Sequence, residues 1–365
     1  MPEDLTTLVG DSAPEWDRTG LLPLELLRDL GRRGLLCAQV PAEFGGLGYS
    51  GQDNGEFTAH VGGLCSSLRS VMTSQGMAAW TVQRFGAPDQ RARWLPRLTG
   101  GELAAVAFSE PGAGSDLAGM GTTVEQDGDS VIVTGRKVWI TVGAYADVVV
   151  VFGRYQHGAA AVIVPVSTPG VRIERIADPL GCRAAGHANV VLDAVRVPAE
   201  NMLGRSGIPL PFLVTAALSY GRLSVAWGCV GILRACLGAA ARHAKTREQN
   251  GIVLADHQLV AAHLADLYVA EQVATRVCEH ASRCWDSESP ELVSAVVTAK
   301  HVAATQAAAG ASTAVQVLAS AGSRDGHVVA RAYRDAKLME IIEGSNEICR
   351  TVLARHVLAG VGSGQ

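Results

Sequence analysis

The stretch FSEPGAGSD, residues 108–116, lies where the residue pattern changes from helix-like to strand-like, and it marks the boundary between the first two parts of the fold. Its glycines remove side-chain obstruction, so that backbone N–H groups can approach a ligand closely. A Rossmann dinucleotide loop requires Gly-x-Gly-x-x-Gly between a strand and a helix. Here the third glycine position is Leu117, and strand-like segments follow. The loop is therefore either a plain turn or part of a different kind of binding site.

The sequence before this loop has a helical pattern. From Leu21 to about Gly101 the apolar residues recur at helical spacing, and glycine-rich stretches at 45–51 and 100–101 mark loops. We predict an N-terminal α-helical domain over residues 1–102.

The sequence after the loop has a strand pattern. Short β-branched runs occupy residues 131–133, 148–152, 161–166, 171–173 and 190–197. The Asp127-Gly128 pair is a hairpin signal, because glycine accepts the positive φ that such turns need. These runs predict a central antiparallel β-barrel or sandwich over residues 103–205.

The remainder, residues 206–365, returns to long Ala/Leu/Val segments separated by helix breakers. The candidate helices span residues 222–245, 255–284, 290–321, 327–342 and 345–358. Long amphipathic helices with small residues at their contacts predict an antiparallel four-helix bundle. The fold class is therefore an α+β multidomain chain in the order helical domain, β domain, helical bundle.

Composition excludes several function classes. Hydrophobic residues make up 48% of the 365 residues and charged residues 18%, which excludes intrinsic disorder. A net charge of -4 gives no excess of basic residues, which argues against a nucleic-acid-binding protein. The charge-free stretch 302–323 is broken by polar residues and glycine, which indicates a buried helix rather than a membrane span. The eight cysteines form no CxxC pair or zinc spacing, and no signal peptide is recognised, so we expect a cytoplasmic protein without metal.

Segments spread over nearly the whole chain resemble the acyl-CoA dehydrogenase family. They are VPAEFGGLG at 40–48, GAPDQRARWLPRLTGGE at 86–102, FSEPGAGSD at 108–116, WIT at 139–141, VPAENMLG at 197–204, and the stretches 247–258 and 334–348. Two such motifs could arise by chance, but this many in family order are specific. The resemblance implies the same α, β, α-bundle order, with FAD bound between the β domain and the bundle.

The resemblance also implies cofactor contacts. Phe108 and Ser109 match positions that face the flavin pyrimidine ring, and Trp139 and Thr141 match the strand beside the flavin, with Thr141 near N5. Flavin N5 accepts hydride, so a nearby hydrogen-bond donor such as Thr141 and an aromatic side chain such as Trp139 that excludes water would suit it. Without the resemblance, Trp139 would be read as simple core packing.

A second set of implied contacts belongs to a neighbouring subunit. Arg247 matches a guanidinium on the FAD pyrophosphate, where a bidentate Arg suits paired phosphate oxygens. Gln258 and Gln316 match adenine-side and pyrophosphate-side contacts. The remaining implied FAD contacts are Ser115, Ser320, Ser345 and Glu347. If the contacts cross subunits, the cofactor site exists only in a homo-oligomer, a dimer or a tetramer.

Glu343 is the candidate catalytic residue. It follows the apolar pair Ile341-Ile342 and precedes Gly344-Ser345, a helix break and N-cap signal. An acid beside apolar residues at such a break loses water, and its pKa rises towards that of a useful base. It also matches the family's catalytic Glu. In some branches the base comes from the position that is Gly221 here, and glycine supplies no carboxylate.

The implied reaction is dehydrogenation of an acyl thioester at Cα–Cβ. Glu343 removes the α-proton while hydride passes from Cβ to flavin N5, and the Glu343 N–H and the FAD ribityl 2'-OH polarise the carbonyl. The implied substrate contacts are Ser115, Ser219, Arg222, Ile342 and Gly344. The implied partners are an acyl thioester on CoA or acyl carrier protein and an acceptor such as an electron-transfer flavoprotein.

Four readings remain open from the sequence. The short chain and its altered pocket residues resemble discrete acyl-ACP dehydrogenases that make hydroxymalonyl or methoxymalonyl extender units for polyketides. A catabolic short-chain acyl-CoA dehydrogenase is the first alternative. A flavin oxidase or monooxygenase on the same fold is the second, and a degenerate scaffold that binds no flavin is the third.

Overall fold

The computed structural model describes residues 3–361, in which helices come first, a sheet second and helices last. The first five helices are α1 Glu3–Thr19, α2 Leu24–Arg32, α3 Gly51–Leu64, α4 Ser66–Phe85 and α5 Pro88–Thr99. Nearly the whole length of α4 is buried, including the polar side chains of Arg69, Thr73 and Ser74. This helix therefore lies at the centre of the molecule, where polar groups need partners in the protein or in a ligand.

The central sheet has eight strands. They are β1 Ala104–Ala107, β2 Thr123–Asp127, β3 Ser130–Ile140, β4 Val148–Tyr155, β5 Gly158–Pro165, β6 Val171–Arg175, β7 Ala188–Pro198 and β8 Met202–Ile208. The order across the sheet is β6-β7-β3-β2-β4-β5-β8, and β1 pairs with β4. The predicted hairpin at Asp127-Gly128 is confirmed, because Asp127 pairs with Ser130 and Gly128 has φ 58°.

The predicted order of helical domain, β domain and helical bundle is confirmed, but the predicted antiparallel sheet is mixed. β1 runs parallel to β4, with Ala104 opposite Val148, and β2 meets β4 in parallel at Thr123 and Arg154. The alternation of apolar and polar side chains reports which face of a strand is buried, and it carries no information on strand direction. Direction depends on the route of the chain between the strands, so the sheet is mixed.

The described residues 210–361 contain five α-helices and a two-stranded hairpin. They are α6 Leu210–Thr246, β9 Glu248–Gln249, β10 Ile252–Val253, α7 Gln258–Asp286, α8 Leu292–Leu318, α9 Val328–Met339 and α10 Asn346–Val361. α6 packs on α7, α8 and α9, and also on α3 and α4 of the first part. It begins at Leu210, well before the predicted 222, because Pro209 and Pro211 form the kind of start that helices favour.

Among the described residues α6 is also the one helix whose length and apolar composition would let it span a membrane. Most of its apolar window is buried inside the protein, which is typical of a core helix.

Candidate active site

A tight turn between α9 and α10 carries Glu343. Glu343 has φ 55° and Gly344 has φ 89°, so two consecutive residues are left-handed, a strained conformation for the glutamate. Two buried cationic side chains hold the turn through its backbone carbonyls. Arg222 Nε donates to the Glu343 carbonyl at 3.1 Å, and Lys300 Nζ donates to the carbonyls of Gly344 at 2.7 Å and Glu340 at 3.3 Å. These bonds keep the strained turn in one conformation.

The Glu343 side chain points into the protein from this turn. Its Oε2 atom is buried and has no hydrogen-bond partner among the described residues. The space it occupies is the space that a side chain at residue 221 would fill, because a Cβ there would overlap Glu343 Oε2 and the Met77 methyl group. Gly221 therefore supplies room for the carboxylate rather than a carboxylate of its own.

Burial controls the protonation of this group. Loss of water raises the pKa of Glu343 to about 7, and the positive charges of Arg222, Lys300 and Arg69 limit the rise. An acid with a pKa near neutral pH can both take up and release a proton under ordinary conditions, which suits a general base.

An exposed aromatic shelf lies on the sheet side of the site. Trp139 is 58% exposed and has φ 58°, and it sits at an irregularity in the pairing of β3 with β7. Bulges of this kind redirect a side chain out of the regular sheet and are frequent beside active sites. The Trp139 and His187 rings lie 6.1 Å apart, centroid to centroid. The exposed Trp139 ring offers a flat apolar surface beside the His187 ring.

Polar groups border the shelf. Thr141 Oγ1 lies 3.4 Å from His187 Nδ1, and His187 Nε2 is buried without a partner among the described residues. Burial lowers the pKa of His187 to about 4, so its ring is neutral at neutral pH. Ser74 of α4 donates to the Thr141 carbonyl at 3.4 Å. Ser74 and Met77 lie one turn apart on α4, so the shelf and the Glu343 carboxylate border the same stretch of this helix.

The loop at 108–116 is anchored by a buried ion pair. Lys137 Nζ donates to Glu110 Oε1 at 2.7 Å and to the Phe108 carbonyl at 3.1 Å. Glu110 also accepts the backbone N–H groups of Gly121 at 2.6 Å and Thr122 at 3.0 Å. Burial opposes ionisation of Glu110, but these hydrogen bonds outweigh it and hold its pKa at about 2. The loop base is therefore rigid.

Of the predicted FAD contacts in this loop, Phe108 and Ser109 lie at its anchored end and Ser115 lies at its tip. The Phe108 ring lies 4.0 Å from the Phe152 ring, and the Ser109 carbonyl accepts the Val138 N–H at 2.9 Å. Ser115 is exposed. The loop therefore places the backbone of Ser109 beside β3 and the Ser115 hydroxyl in solvent.

The predicted substrate contacts on α6 differ in what they offer. Ser219 is buried, and its hydroxyl donates to the Thr215 carbonyl of its own helix at 2.8 Å, so it has only acceptor capacity left. Arg222 is 6% exposed and points at the Glu343–Gly344 turn.

The predicted contacts that follow α9 lie around the same turn. Ile342 is half-buried against the helical core. Ser345 Oγ accepts the Ile348 N–H at 3.4 Å at the start of α10. Glu347 is exposed.

Four predicted contacts lie far from Glu343 within the chain. Arg247 ends α6, Gln258 begins α7, and Gln316 and Ser320 lie at the end of α8. Arg222 and Arg247 are separated by 25 residues of helix, or about 37 Å at 1.5 Å per residue. Arg247, Gln258, Gln316 and Ser320 are all exposed. One chain alone therefore does not bring the two groups of predicted residues together.

Sequence reasoning missed three residues that the fold brings to Glu343 or to the shelf. Arg69, Lys300 and His187 lie on α4, α8 and just before β7, and no motif spacing links them to the turn at 340–344. A Lys or Arg within an Ala-rich or Ser-rich helical segment was the available signal for Arg69 and Lys300. Charged residues are almost never fully buried unless they are paired.

Known proteins have similar sequences and structures. Three family descriptions match the chain: the acyl-CoA dehydrogenase N-terminal domain at residues 6–102, the middle domain at 105–195 and the C-terminal domain at 212–358. The mitochondrial short-chain specific acyl-CoA dehydrogenase of Mus musculus is 32% identical over 353 residues, which cover 95% of this chain and 85% of that protein.

Two solved structures are also similar. FkbI, described as acting in biosynthesis of the methoxymalonyl extender unit of the Fk520 polyketide, is 65% identical with a TM-score of 0.93 over 97% of this chain and 98% of FkbI. A glutaryl-CoA dehydrogenase from Mycobacterium smegmatis in complex with FADH2 is 25% identical with a TM-score of 0.91, over 98% of this chain and 95% of that chain.

Proposed function

Because this chain belongs to the acyl-CoA dehydrogenase family, we propose that it oxidises the Cα–Cβ bond of a small acyl group carried as a thioester on an acyl carrier protein. Enzymes of this family are FAD-dependent oxidoreductases that act on CH–CH bonds, and this chain is one of them. The observation that carries the proposal is the Glu343 carboxylate: its Oε2 is buried without a hydrogen-bond partner among the described residues, and its pKa of about 7 lets it accept a proton near neutral pH.

The residues around the shelf fit an isoalloxazine ring. The exposed Trp139 ring offers a flat apolar surface, and His187 Nε2, which has no hydrogen-bond partner in the described part of the chain, offers a polar contact beside it. Phe108, Ser109 and Thr141 would hold the ring from the side of the sheet, with Ser115, Ser345 and Glu347 as further contacts. When bound, FAD accepts the hydride that leaves Cβ.

The phosphates of the cofactor held by a second copy of the chain would bind at the far end of the helical bundle. An open pocket of about 460 Å³ lies there, and Arg242, His243, Lys245 and His327 line it with no carboxylate among the lining residues. A pocket of this charge attracts phosphate. We propose that Arg247, Gln258, Gln316 and Ser320 at this end contact the FAD of a second copy of the chain, so that the working enzyme is a homo-oligomer.

The turn at Glu343 supplies two functions at one position. Its carboxylate accepts the α-proton at Oε2, in the space left by Gly221. Its backbone N–H has no acceptor among the described residues, so it is free to donate to the thioester carbonyl. A donor aimed at a developing oxyanion is worth about 2.7–4 kcal/mol. Arg222 and Lys300 hold the turn through its carbonyls, and this fixes the orientation of the Glu343 carboxylate and of its backbone N–H.

Flavin reduction is expected to depend on pH through Glu343. Since the pKa is raised to about 7, the group is protonated below that pH and cannot take the α-proton, and it is a carboxylate above it. The rate should fall about tenfold per pH unit below the pKa and level off above it. His187, with a pKa of about 4, does not titrate in this range. Anaerobic stopped-flow measurement from pH 5.5 to 8.5 tests this, and a flat profile would contradict it.

The choice of an acyl carrier protein rests on the 65% identity to FkbI. A polyketide extender unit is the proposed product class, and an electron-transfer flavoprotein is the proposed acceptor. A catabolic acyl-CoA dehydrogenase is favoured instead by the identity to the short-chain specific enzyme.

An anaerobic titration of the purified holoprotein separates these candidates. The same acyl group is presented on CoA and on acyl carrier protein, and bleaching of the flavin is followed. We expect faster bleaching by the carrier-protein thioester. Equal or faster bleaching by the CoA thioester would favour the catabolic enzyme, and peroxide formation under air would favour an oxidase. No bleaching by any thioester would refute the dehydrogenase.

A further inference from the structure

Three side chains of metal-binding type converge at the turn between α7 and α8. His280 and Cys284 lie near the end of α7, and Glu291 immediately precedes α8. One ring nitrogen, one sulfur and one carboxylate oxygen from these residues all lie within 4.8 Å of one another. In the described part of the chain, no other set of three or more His, Cys, Asp or Glu side chains converges in this way.

The local backbone explains why the three side chains meet. His280 and Cys284 are four residues apart on a helix, so they share one face of α7. The chain then reverses direction in a turn that includes Glu288 in the left-handed region, with φ 49°. The Ser289 N–H donates to the Cys284 carbonyl at 2.9 Å, and the Glu291 N–H donates to Ser289 Oγ at 3.1 Å. These bonds bring Glu291 back beside α7.

The spacing of the nitrogen and sulfur suits a shared metal ion. His280 Nε2 and Cys284 Sγ are 3.8 Å apart. Zinc–sulfur bonds of about 2.3 Å and zinc–nitrogen bonds of about 2.0 Å at a tetrahedral angle place the two atoms about 3.5 Å apart. The two side chains therefore need to move little to bind one ion. Glu291 is exposed, so its carboxylate is free to rotate towards them.

The three ligand groups have no competing partners among the described residues. The His280 ring and the Cys284 sulfur bond to each other, and the Glu291 carboxylate forms no hydrogen bond or ion pair. The neighbouring Glu279, by contrast, pairs with Arg276 at 2.7 Å. Cys284 is 6% exposed, whereas His280 and Glu291 are exposed. The sulfur is thus sheltered, and the outer side of the cluster is open to an arriving ion and to water.

We propose that His280, Cys284 and Glu291 bind one zinc ion, with water as the fourth ligand. Thiolate and imidazole ligands suit Zn²⁺, whereas Mg²⁺ and Ca²⁺ take oxygen ligands. On binding, the Cys284 thiol gives its proton to the buffer, and the sulfur donates an electron pair to the metal. The absence of CxxC pairs led us to expect no metal, but a His and a Cys four residues apart on a helix also place two ligands together.

The ion would join α7 to α8 at a junction of several helices. The Trp285 ring, next to Cys284, lies 4.6 Å from the Trp80 ring of α4 and 5.9 Å from the Tyr220 ring of α6, centroid to centroid. Asp286 accepts the Gly51 N–H of α3 at 2.6 Å. Because zinc binds the folded cluster, it should raise the unfolding temperature of the protein. The site does not depend on the proposed function.

Calorimetric titration of the reduced, untagged, metal-free holoprotein with Zn²⁺ at pH 8 tests the proposal. We expect one ion per chain with a dissociation constant of about 1 µM or lower. His280→Ala and Cys284→Ser should each weaken binding at least tenfold, since even outer-shell partners of a metal contribute 10–100-fold. Titrations in buffers with different ionisation enthalpies should show about one proton released by the wild-type protein and fewer by Cys284→Ser.

Two more variants make the result specific. Glu291→Gln changes an exposed side chain and should weaken binding by about threefold or more, whereas His157→Ala removes an exposed histidine between β4 and β5 and should change nothing. Circular dichroism and FAD content establish that each variant is folded. Failure of the wild-type protein to bind one Zn²⁺ would overturn the proposal, whether or not any variant folds. Undiminished binding by folded His280→Ala and Cys284→Ser would also overturn it, because the ion would then lie elsewhere.

Discussion

Replacing Glu343 with glutamine is expected to slow anaerobic flavin reduction by a factor of about 10²–10⁴, the range that a positioned general base contributes. Glutamine has the same shape and fits the space beside Gly221, but it cannot accept the α-proton. Bound FAD should be retained, because the shelf at Trp139 and the loop at 108–116 are untouched. Stopped-flow measurement with the acyl thioester that bleaches the wild-type flavin provides the test.

A matched control separates loss of the base from a general charge effect. Glu125→Gln removes an exposed carboxylate on β2 and should leave the reduction rate unchanged. The residual rate of Glu343→Gln should also lose the pH dependence expected near 7. Unchanged reduction in Glu343→Gln would rule out this residue as the base.

Replacing Glu110 with alanine is expected to lower the free energy of unfolding by about 3–5 kcal/mol, the usual cost of breaking a buried ion pair. Lys137 has no exposed side-chain surface, so its charge would remain buried with only the Phe108 carbonyl as acceptor. The N–H groups of Gly121 and Thr122 would lose their acceptor as well. Denaturant unfolding measures the loss, and weaker FAD retention should accompany it because the loop base loses its anchor.

Two comparisons make this prediction specific. Adding Lys137→Met to Glu110→Ala removes the unpaired charge and should recover part of the stability. Glu174→Ala breaks an exposed pair with Arg136, the neighbour of Lys137 on β3, and should cost less than about 1 kcal/mol. A loss below about 1 kcal/mol in Glu110→Ala itself would show that the buried pair does not anchor the loop.

The fold was predicted well where the pattern is local. The runs at 131–133, 148–152 and 190–197 lie in β3, β4 and β7, and the segments at 255–284 and 290–321 match α7 and α8 within a few residues. The prediction failed for β1 and its parallel pairing with β4. A four-residue apolar strand has no period of its own, and its partner lies 44 residues further along the chain.

The site was predicted in part. The turn at Glu343 is visible in the sequence as an apolar pair followed by glycine and serine, and the structure shows the left-handed backbone and the buried carboxylate there. The cations that surround it were not predicted, apart from Arg222. Arg69 and Lys300 are 274 and 43 residues away from Glu343 in the chain, and only packing brings their charges near its carboxylate.

The sequence alone determined the order of helices and strands, the position of the candidate base and the class of chemistry, because periodicity, breakers and residue type are local properties. The tertiary structure alone decided the environment of that base. Gly221 and Gly228 are ordinary helix residues in the sequence, yet each leaves a space that a charged side chain from another element occupies. The protonation of Glu343 and the burial of Arg69 beside it depend on how much water and which partners remain after packing, and no local pattern records that.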